Sequence, residues 1–389
     1  MRQRKRMGTV LSAVLSLALL AGCGGQPAAT DSGSGAAAGN GEQVAKIGYI
    51  GFISGSGAAY GEAQKQGLEI ALTELNEANK GKLKIELLTE DSGGKKESAI
   101  NAANKLINQD KVVAIIGPTL SGEMFAVGPL ASESETPILG ISNTAEGIND
   151  IGEYVFRNSL PESVAIPAAM EVAVKKHDIK KAAFIYAKND DFSVSGFKTM
   201  KATAEKMGLE NLGEESFSNG DVDFAAQLTK IKATNPDALF VSSLYKEGSL
   251  VVKKAREIGL NVPIIGGNGF NNPQVLEIAG QSAEGLIVAT PFSTDNKEEH
   301  VQNFVKKFEE KYGKKPDQFA AQAYDGLHIV AQSLLKTNKA DDRNALREEL
   351  AILKDFNGVS GKLSFDENRN PISVPLVVTV EGGKFVTFE

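Results

Sequence analysis

The chain has 389 residues, of which 42% are hydrophobic and 23% are charged, and its formal net charge is −7. This negative balance argues against a nucleic-acid partner, which requires a basic face, and against a broad electrostatic attachment to anionic lipid. At about 100–200 residues per domain, the length predicts two domains.

The N-terminal residues have the pattern of a secretory leader. Four positive charges within residues 2–6 precede an apolar run over residues 10–20. That run is shorter than the about 20 residues that span a bilayer. It ends in Leu20-Ala21-Gly22-Cys23, which contains the only cysteine. The string resembles the lipobox of bacterial lipoproteins, which implies cleavage before Cys23 and a lipid on its sulfur. The alternative is an ordinary leader that contains a cysteine by chance.

Cleavage at this position changes the expected properties of the mature chain. Loss of the four leader charges takes the net charge from −7 to −11, and a lipidated Cys23 leaves no disulfide. Residues 24–41 contain only small or polar side chains and proline, a composition typical of a flexible tether. We therefore expect a signal peptide over residues 1–22, a lipid-anchored linker over 23–43 and a folded part from residue 44.

Strand and helix patterns alternate from residue 44 onward. Short apolar runs predict strands over 46–52, 83–90, 112–116 and 137–141. Apolar residues at helical spacing predict helices over 60–79 and about 99–107, and another that ends near 132. This alternation predicts βαβ units and a parallel sheet.

The same rhythm restarts after Pro161. Helices are predicted over 162–176, 195–207, 224–233, 247–258 and 273–279, with strands over 181–187, 214–217, 238–242, 263–266 and 285–289. The remainder contains three helical stretches, over 297–312, 317–335 and 340–353, and strands near 373–379 and 384–388. These strands are too few for a third sheet, so we expect them to complete the first two units.

This order of elements predicts an α/β protein with two Rossmann-like lobes. We place lobe 1 at residues 44–160 plus 291–364, and lobe 2 at 161–290 plus 365–389. The chain then crosses between the lobes near 158–161, 290–295 and 363–366. Several connections of this kind form a hinge, and closure of a hinge around a ligand is a common motion.

Short strings in a fixed order connect the chain to a known family. They are Ser54-Gly55, Tyr60-Gly61, Ile115-Ile116-Gly117, Ser121-Gly122, Tyr154-Val155-Phe156-Arg157, Ala283-Glu284-Gly285 and Ala323-Tyr324-Asp325-Gly326. Over residues 45–389 the chain resembles the leucine/isoleucine/valine-type periplasmic solute-binding proteins, the extracytoplasmic receptors of ABC importers. The resemblance implies the type I periplasmic-binding-protein fold with two parallel-sheet lobes that close on a small amino-acid-like ligand. It also implies an ABC permease partner, a monomer held to the membrane by its N-terminal lipid, and no cofactor.

The loops after the strands are the expected ligand site, because ligands of open parallel sheets lie beyond the carboxyl ends of the strands. Ser121 places a hydroxyl at a helix N-terminus, where an anion is favoured; the alternative is that it only caps the helix. The resemblance assigns the ligand carboxylate to Ser121 with Gly122. It leaves open whether Ser142 or Thr144 supplies a further hydroxyl, and both could instead be ordinary turn residues.

Aromatic residues are the expected apolar walls of this site. The resemblance places Tyr60, Phe192 and Phe319 beside the ligand, although each could instead pack in a core. Leu244 occupies a further aromatic position by direct count, so Tyr245 takes that role only if the loop shifts.

Asn268 departs from the family pattern. Amino-acid-binding members commonly have an acidic residue here that pairs with the ligand ammonium, and an amide offers no charge. An α-amino-acid ligand then requires another acid, for which Asp191, Glu247 and Asp325 are candidates. Asp325 could also be an ordinary exposed helix charge.

Signatures of catalysis are lacking in the sequence. The three histidines, His177, His300 and His328, have no metal-ligand spacing, and there is no GxSxG string. We therefore predict no catalytic residue and no metal site. Two other functions remain open: a ligand-sensing lipoprotein that signals to a membrane receptor, and a Rossmann-type enzyme.

Overall fold

The computed structural model describes residues 41–388, in which the strands form three sheets. The predicted signal peptide, Cys23 and most of the predicted tether lie outside the described residues. None of the helices within residues 41–388 is both long and apolar enough to cross a membrane.

The first sheet is built from the N-terminal part of the chain. Its strands are β1 (Gln43–Gly51), β2 (Leu83–Asp91), β3 (Ala114–Ile116), β4 (Ile138–Gly140) and β5 (Val155–Arg157). The intervening helices are α1 (Ala58–Ala78), α2 (Lys96–Asn104) and α3 (Ser121–Glu133). The order is β2-β1-β3-β4-β5 and every pair is parallel. The predicted parallel sheet is confirmed, and it gains β5, which is too short to carry a periodic signal in the sequence.

The next segment supplies most of the second sheet. Its strands are β6 (Lys181–Ala187), β7 (Glu210–Phe217), β8 (Ala238–Ser242), β9 (Ile264–Gly266) and β10 (Leu286–Thr290). Its helices are α4 (Glu162–His177), α5 (Asp191–Lys206), α6 (Ala225–Ala233), α7 (Tyr245–Glu257) and α8 (Gln274–Ala279). These five strands pair in parallel in the order β10-β9-β8-β6-β7.

The C-terminal part of the chain differs from its prediction in one respect. Its helices are α9 (Glu299–Tyr312), α10 (Gln318–Thr337) and α11 (Arg343–Ala351). Its strands are β11 (Phe356–Gly358), β12 (Gly361–Phe365), β13 (Pro371–Ile372), β14 (Leu376–Glu381) and β15 (Lys384–Thr387). Strands β14 and β15 add antiparallel to β10, so the second sheet is mixed. Strands β11 to β13 form a small antiparallel third sheet, so the expectation of no third sheet was wrong; strands this short show no alternation that a sequence pattern could reveal.

Both large sheets are covered by helices on their two faces, as parallel sheets require. On the first sheet, Ile47 of β1 packs in a core with α1, α10 and α11, whereas Ile50 faces a core with α2 and α3. On the second, Ile185 of β6 packs toward α6, α7 and α9, whereas Phe184 packs toward α4 and α5. This alternation leaves the loops at the carboxyl ends of both sheets free to build a site. The lobe boundaries given above stay a prediction.

Candidate ligand-binding site

A cavity lies among the loops that follow strands of both large sheets. Its empty volume is about 290 Å³, including the part open to solvent. Six predicted site residues line it, namely Tyr60, Ser121, Ser142, Phe192, Asn268 and Phe319, together with Thr119, Leu120, Leu244 and Gly269. The sequence argument that ligands lie beyond the carboxyl ends of parallel strands therefore brings residues from distant parts of the chain to one place.

The wall of the cavity on the side of the first sheet is polar and internally bonded. Gln64, which is fully buried on α1, donates from Nε2 to Ser142 Oγ at 2.8 Å and accepts from Thr119 Oγ1 at 2.7 Å. The Ser142 hydroxyl in turn donates to the carbonyl oxygen of Thr119 at 2.6 Å. We call Gln64, Thr119 and Ser142 the hydroxyl wall. Because each bond in it fixes the next, its hydroxyls are held in position before any ligand arrives.

Ser121 is placed to donate into the cavity. It is the first residue of α3, after the N-cap Leu120, so its hydroxyl does not serve as the cap. Glu123 fills that role, because its Oε2 accepts the backbone N–H of Leu120 at 2.9 Å. Ser121 Oγ accepts the backbone N–H of Ala145 at 3.3 Å, which leaves its own proton for an acceptor in the cavity. The unpaired N–H groups of the first helical turn add to the attraction for an anion.

The opposite wall is mainly apolar, and two residues from helices that pack on the first sheet contribute to it, Tyr60 of α1 and Phe319 of α10. Tyr60 packs against Phe319 with a ring-centroid distance of 4.6 Å, and against Tyr245 at 4.9 Å. Its hydroxyl donates to the carbonyl of Gly269 at 2.7 Å and accepts the backbone N–H of Tyr245 at 2.7 Å. Gly269 has to be a glycine, because a Cβ there would lie 2.2 Å from the carbonyl oxygen of Ser243. Burial raises the pKa of Tyr60 well above its usual value, so the bridging hydroxyl keeps its proton.

A carboxyl group lies directly behind Asn268. Gln318 Nε2 donates to Asn268 Oδ1, and the backbone N–H of Asn268 donates to Glu162 Oε1 at 2.9 Å. Glu162 is 1% exposed, and its second oxygen has no hydrogen-bond partner. Burial raises the pKa of Glu162 to about 7, and the bond from Asn268 offsets that rise only in part. The acid that sequence reasoning sought at position 268 is therefore found one hydrogen bond behind it.

The three acids proposed from the sequence are engaged elsewhere. Asp191 Oδ2 lies 2.7 Å from Lys96 Nζ, and Glu247 Oε1 accepts the backbone N–H of Gly220 at 3.1 Å. Asp325 accepts the backbone N–H groups of Val359 and Ser360, each at 2.8 Å. Burial raises the pKa of Asp325 to about 6. Its carboxylate thus caps the turn between β11 and β12 and is neither an exposed helix charge nor part of the cavity lining.

Three other predicted site residues lie next to the cavity without lining it. Gly122 faces the ion pair of Asp191, because a Cβ there would lie 2.6 Å from Asp191 Oδ2. Tyr245 contributes its backbone N–H to Tyr60, while its hydroxyl donates to the carbonyl of Ser56 at 2.9 Å. Thr144 is buried and its hydroxyl has no partner. Ser142 and Leu244 line the cavity, whereas Thr144 and Tyr245 do not.

The residues that sequence reasoning missed are Glu162 and the members of the hydroxyl wall other than Ser142. Glu162 follows Pro161 at the start of α4, where an acid usually stabilises the helix dipole and carries no signal of a site. Gln64 lies in the middle of α1, where an isolated polar residue on an apolar face could have indicated a buried hydrogen-bond network.

The chain and its fold are similar to known proteins. A family model described as periplasmic binding protein matches residues 44–384. The Leu/Ile/Val-binding protein BraC3 of Rhizobium johnstonii is 26% identical, over 88% of this chain and 93% of its own length. The leucine-binding protein LivK of Thermotoga maritima has a TM-score of 0.83 at 28% identity, over 88% of this chain and 97% of that one.

A further solved structure contains a ligand. It is the branched-chain amino acid transporter substrate-binding protein LivJ of Streptococcus pneumoniae in complex with isoleucine. This chain aligns with it at a TM-score of 0.81 and 30% identity, over 89% of this chain and 100% of that one. The type I fold inferred from the resemblance is confirmed by these neighbours. A family model that covers nearly all the described residues, and a cavity at the edges of two α/β sheets, lead to the same conclusion: the chain belongs to the periplasmic binding proteins, the extracytoplasmic solute receptors of ABC transporters.

Proposed function

We propose that this chain is the receptor lipoprotein of an ABC importer, that it binds a small carboxylate with an apolar body between two closing lobes, and that a branched-chain amino acid is its ligand. The observation that carries the proposal is the division of the cavity into a hydroxyl wall with Ser121 and an opposite wall of Phe192, Leu244 and Phe319. Such a cavity is complementary to a molecule with a polar head and a hydrocarbon body.

The head group is expected to be a carboxylate. Ser121 offers a hydroxyl and the N-terminus of α3, both of which favour a negatively charged acceptor. The relatives named for leucine, isoleucine and valine support an amino acid as the source of that carboxylate.

The ammonium of an amino acid requires a compensating negative charge, because a buried unpaired charge is strongly unfavourable. Glu162 supplies it in this proposal, since its carboxyl lies one hydrogen bond behind Asn268 and no cation forms an ion pair with it within residues 41–388. At low internal dielectric, a charge at this depth acts on the cavity over several ångströms. Asn268 then provides a neutral contact, and the acid behind it provides the charge.

Calorimetric titration of leucine against its deaminated analogue 4-methylpentanoate tests the ligand class. We expect leucine to bind at least tenfold more tightly, and Glu162→Gln to remove most of that preference. Glu123→Gln is the matched control, because burial also raises the pKa of Glu123 to about 7, but its carboxylate is bonded to Leu120 on the side of the first sheet. Equal or tighter binding of the analogue by the unmodified protein would exclude an α-amino-acid ligand.

Membrane attachment is tested separately, because Cys23 lies outside the described residues. A single acyl chain gives about 0.8 kcal/mol per buried CH₂. Cys23→Ala should therefore move the protein from the membrane fraction to the soluble fraction. Lipid labelling that persists in this variant would contradict the lipobox interpretation without affecting the ligand proposal.

A further inference from the structure

A second cavity lies behind the wall of the ligand-binding cavity. It is formed where residues 290–295, the loop before α10 and the β14–β15 hairpin meet. Its empty volume is about 1120 Å³, including the part open to solvent, so it is several times larger than the first cavity. Gln318 lines this second cavity and donates a hydrogen bond to Asn268 of the first, and its neighbour Phe319 lines the first. The two cavities therefore share a wall but have different linings.

The lining of the second cavity combines apolar and polar residues. Leu276 of α8, Phe292 after β10, Val378 of β14 and Phe385 of β15 are among its apolar members. Nine of the seventeen lining residues are polar or charged, and of these Thr290 is bonded to Gln318, at 3.1 Å from its Oγ1 to Gln318 Oε1. A concave surface of this size that offers both apolar side chains and polar groups is typical of small-molecule sites.

Two lysines and two aspartates lie at the rim of the second cavity. Lys315 and Lys384 line it, and neither forms an ion pair within the part of the chain that the structure describes. Asp295 is the one exposed acid on the rim. The carboxylate of Asp317 is already hydrogen-bonded, at 3.1 Å from Asn272 Nδ2 and 3.0 Å from the backbone N–H of Ala320. Two unpaired ammonium groups beside an apolar surface suit an anion with a hydrocarbon body.

We propose that the second cavity binds a small amphipathic organic anion, a carboxylate on an apolar chain or ring, with its head group at Lys315 and Lys384. Its apolar body lies against Leu276, Phe292 and Phe385. This site is separate from the proposed amino-acid site, because no residue lines both cavities. It does not depend on the identity of the ligand in the first cavity.

The chain contains no tryptophan, so a single introduced tryptophan reports on this cavity alone. Phe385→Trp places the reporter in the lining, and octanoate is the probe. We expect a saturable change in tryptophan fluorescence that persists when leucine is present in excess. The same length of chain without charge, octanol, should bind at least tenfold more weakly, because it offers the lysines no anion.

The lysines are tested by charge removal. Lys315→Met combined with Lys384→Met should weaken octanoate binding at least tenfold, whereas Lys80→Met with Lys362→Met, two exposed lysines outside the cavity, should not. Saturation-transfer NMR of octanoate with the tryptophan-free protein repeats the measurement if Phe385→Trp does not fold. Absence of saturable binding, equal binding of octanol, or unchanged binding in the Lys315 and Lys384 double variant would each overturn the proposal.

Discussion

The two walls of the ligand-binding cavity are built on different principles. On the side of the first sheet, Gln64, Thr119 and Ser142 are bonded to one another, so their orientation is set by the protein. On the side of the second sheet, the lining is mostly apolar, and the nearest acid, Glu162, is buried with one oxygen unpartnered.

In the proposed function, this difference separates recognition of the head group from recognition of the rest of the ligand. The hydroxyl protons of Thr119 and Ser142 are donated within the hydroxyl wall, so the ligand carboxylate would accept from Ser121 and from the first N–H groups of α3. The apolar wall and the acid behind it would then distinguish one ligand from another. We therefore expect the largest loss of ligand affinity from substitutions of residues that connect the two walls, and the smallest loss from substitutions at the rim of the cavity.

Tyr60→Phe should have the largest effect on binding, because the Tyr60 hydroxyl joins the two sides. Its removal leaves a buried backbone N–H on Tyr245 and a carbonyl on Gly269 without a partner, which costs about 1–3 kcal/mol, or about 5- to 150-fold in affinity. Calorimetry measures the affinity. Small-angle scattering should show a larger radius of gyration with ligand than in the unmodified protein, since closure is weakened.

Tyr49→Phe is the control for this experiment. Its hydroxyl has two possible acceptors on α1, the Gly61 carbonyl at 3.1 Å and Gln64 Oε1 at 3.0 Å. This variant should lower the melting temperature while the ligand still reduces the radius of gyration. Equal effects of the two variants on closure would show that Tyr60 stabilises only the fold.

Ser121→Ala should weaken carboxylate binding by about 0.5–3 kcal/mol, the range for one lost hydrogen bond to a neutral or charged partner. Leucine and 4-methylpentanoate should lose affinity by the same factor, because both present a carboxylate to Ser121. The control is Ser159→Ala, another buried serine, which donates to the carbonyl of Asn143 at 3.0 Å and does not line the cavity. An unchanged dissociation constant in Ser121→Ala would place the carboxylate elsewhere.

The same contrast between the walls explains which parts of the site could be predicted from sequence. Ser121 and Ser142, which line the cavity, were expected there because each follows a strand whose apolar run is visible, and parallel strands end at one edge. Phe192 also lines it and was expected from the family resemblance. Asp325 was misplaced because its partners, at residues 359 and 360, belong to a turn between strands too short to detect. Glu162 was missed because its role depends on burial behind Asn268, a contact between residues 106 positions apart.

The pH dependence of leucine affinity tests the contribution of Glu162 separately from that of the apolar lining residues. Burial raises the pKa of Glu162 to about 7, above the ordinary value of 4.5, and a ligand ammonium favours the ionised form. Leucine binding should therefore tighten as pH rises from 6 to 8, by less than tenfold per pH unit, and should release protons near pH 7. Calorimetry in buffers of different ionisation enthalpy measures that release. In Glu162→Gln both effects should disappear, and 4-methylpentanoate should show neither.

The same shift has a consequence for folding. A carboxyl whose pKa is raised in the folded state favours folding at low pH, and this contribution is lost as pH rises from about 4.5 through about 7. Without ligand, Glu162→Gln should therefore gain stability relative to the unmodified protein between pH 5 and pH 8. A melting-temperature difference that stays constant over this interval would show that Glu162 is already ionised in the free protein.

The ion pair at the rim should have the smallest effect. Lys96 of α2 and Asp191 of α5 are 2.7 Å apart and join helices on opposite sides of the cavity, but their side chains are 54% and 44% exposed. Exposed pairs contribute little and are screened by salt. Lys96→Met should therefore weaken leucine binding less than about fivefold at low ionic strength, and the loss should vanish at about 1 M salt. Lys180→Met is the control, because Lys180 pairs with Asp178 at 2.9 Å on the second sheet's side alone and should leave binding unchanged. An effect of Lys96→Met that persisted at high salt would contradict this prediction. The Lys96–Asp191 pair would then be a structural contact between the two sides of the cavity, as the Tyr60 hydroxyl is.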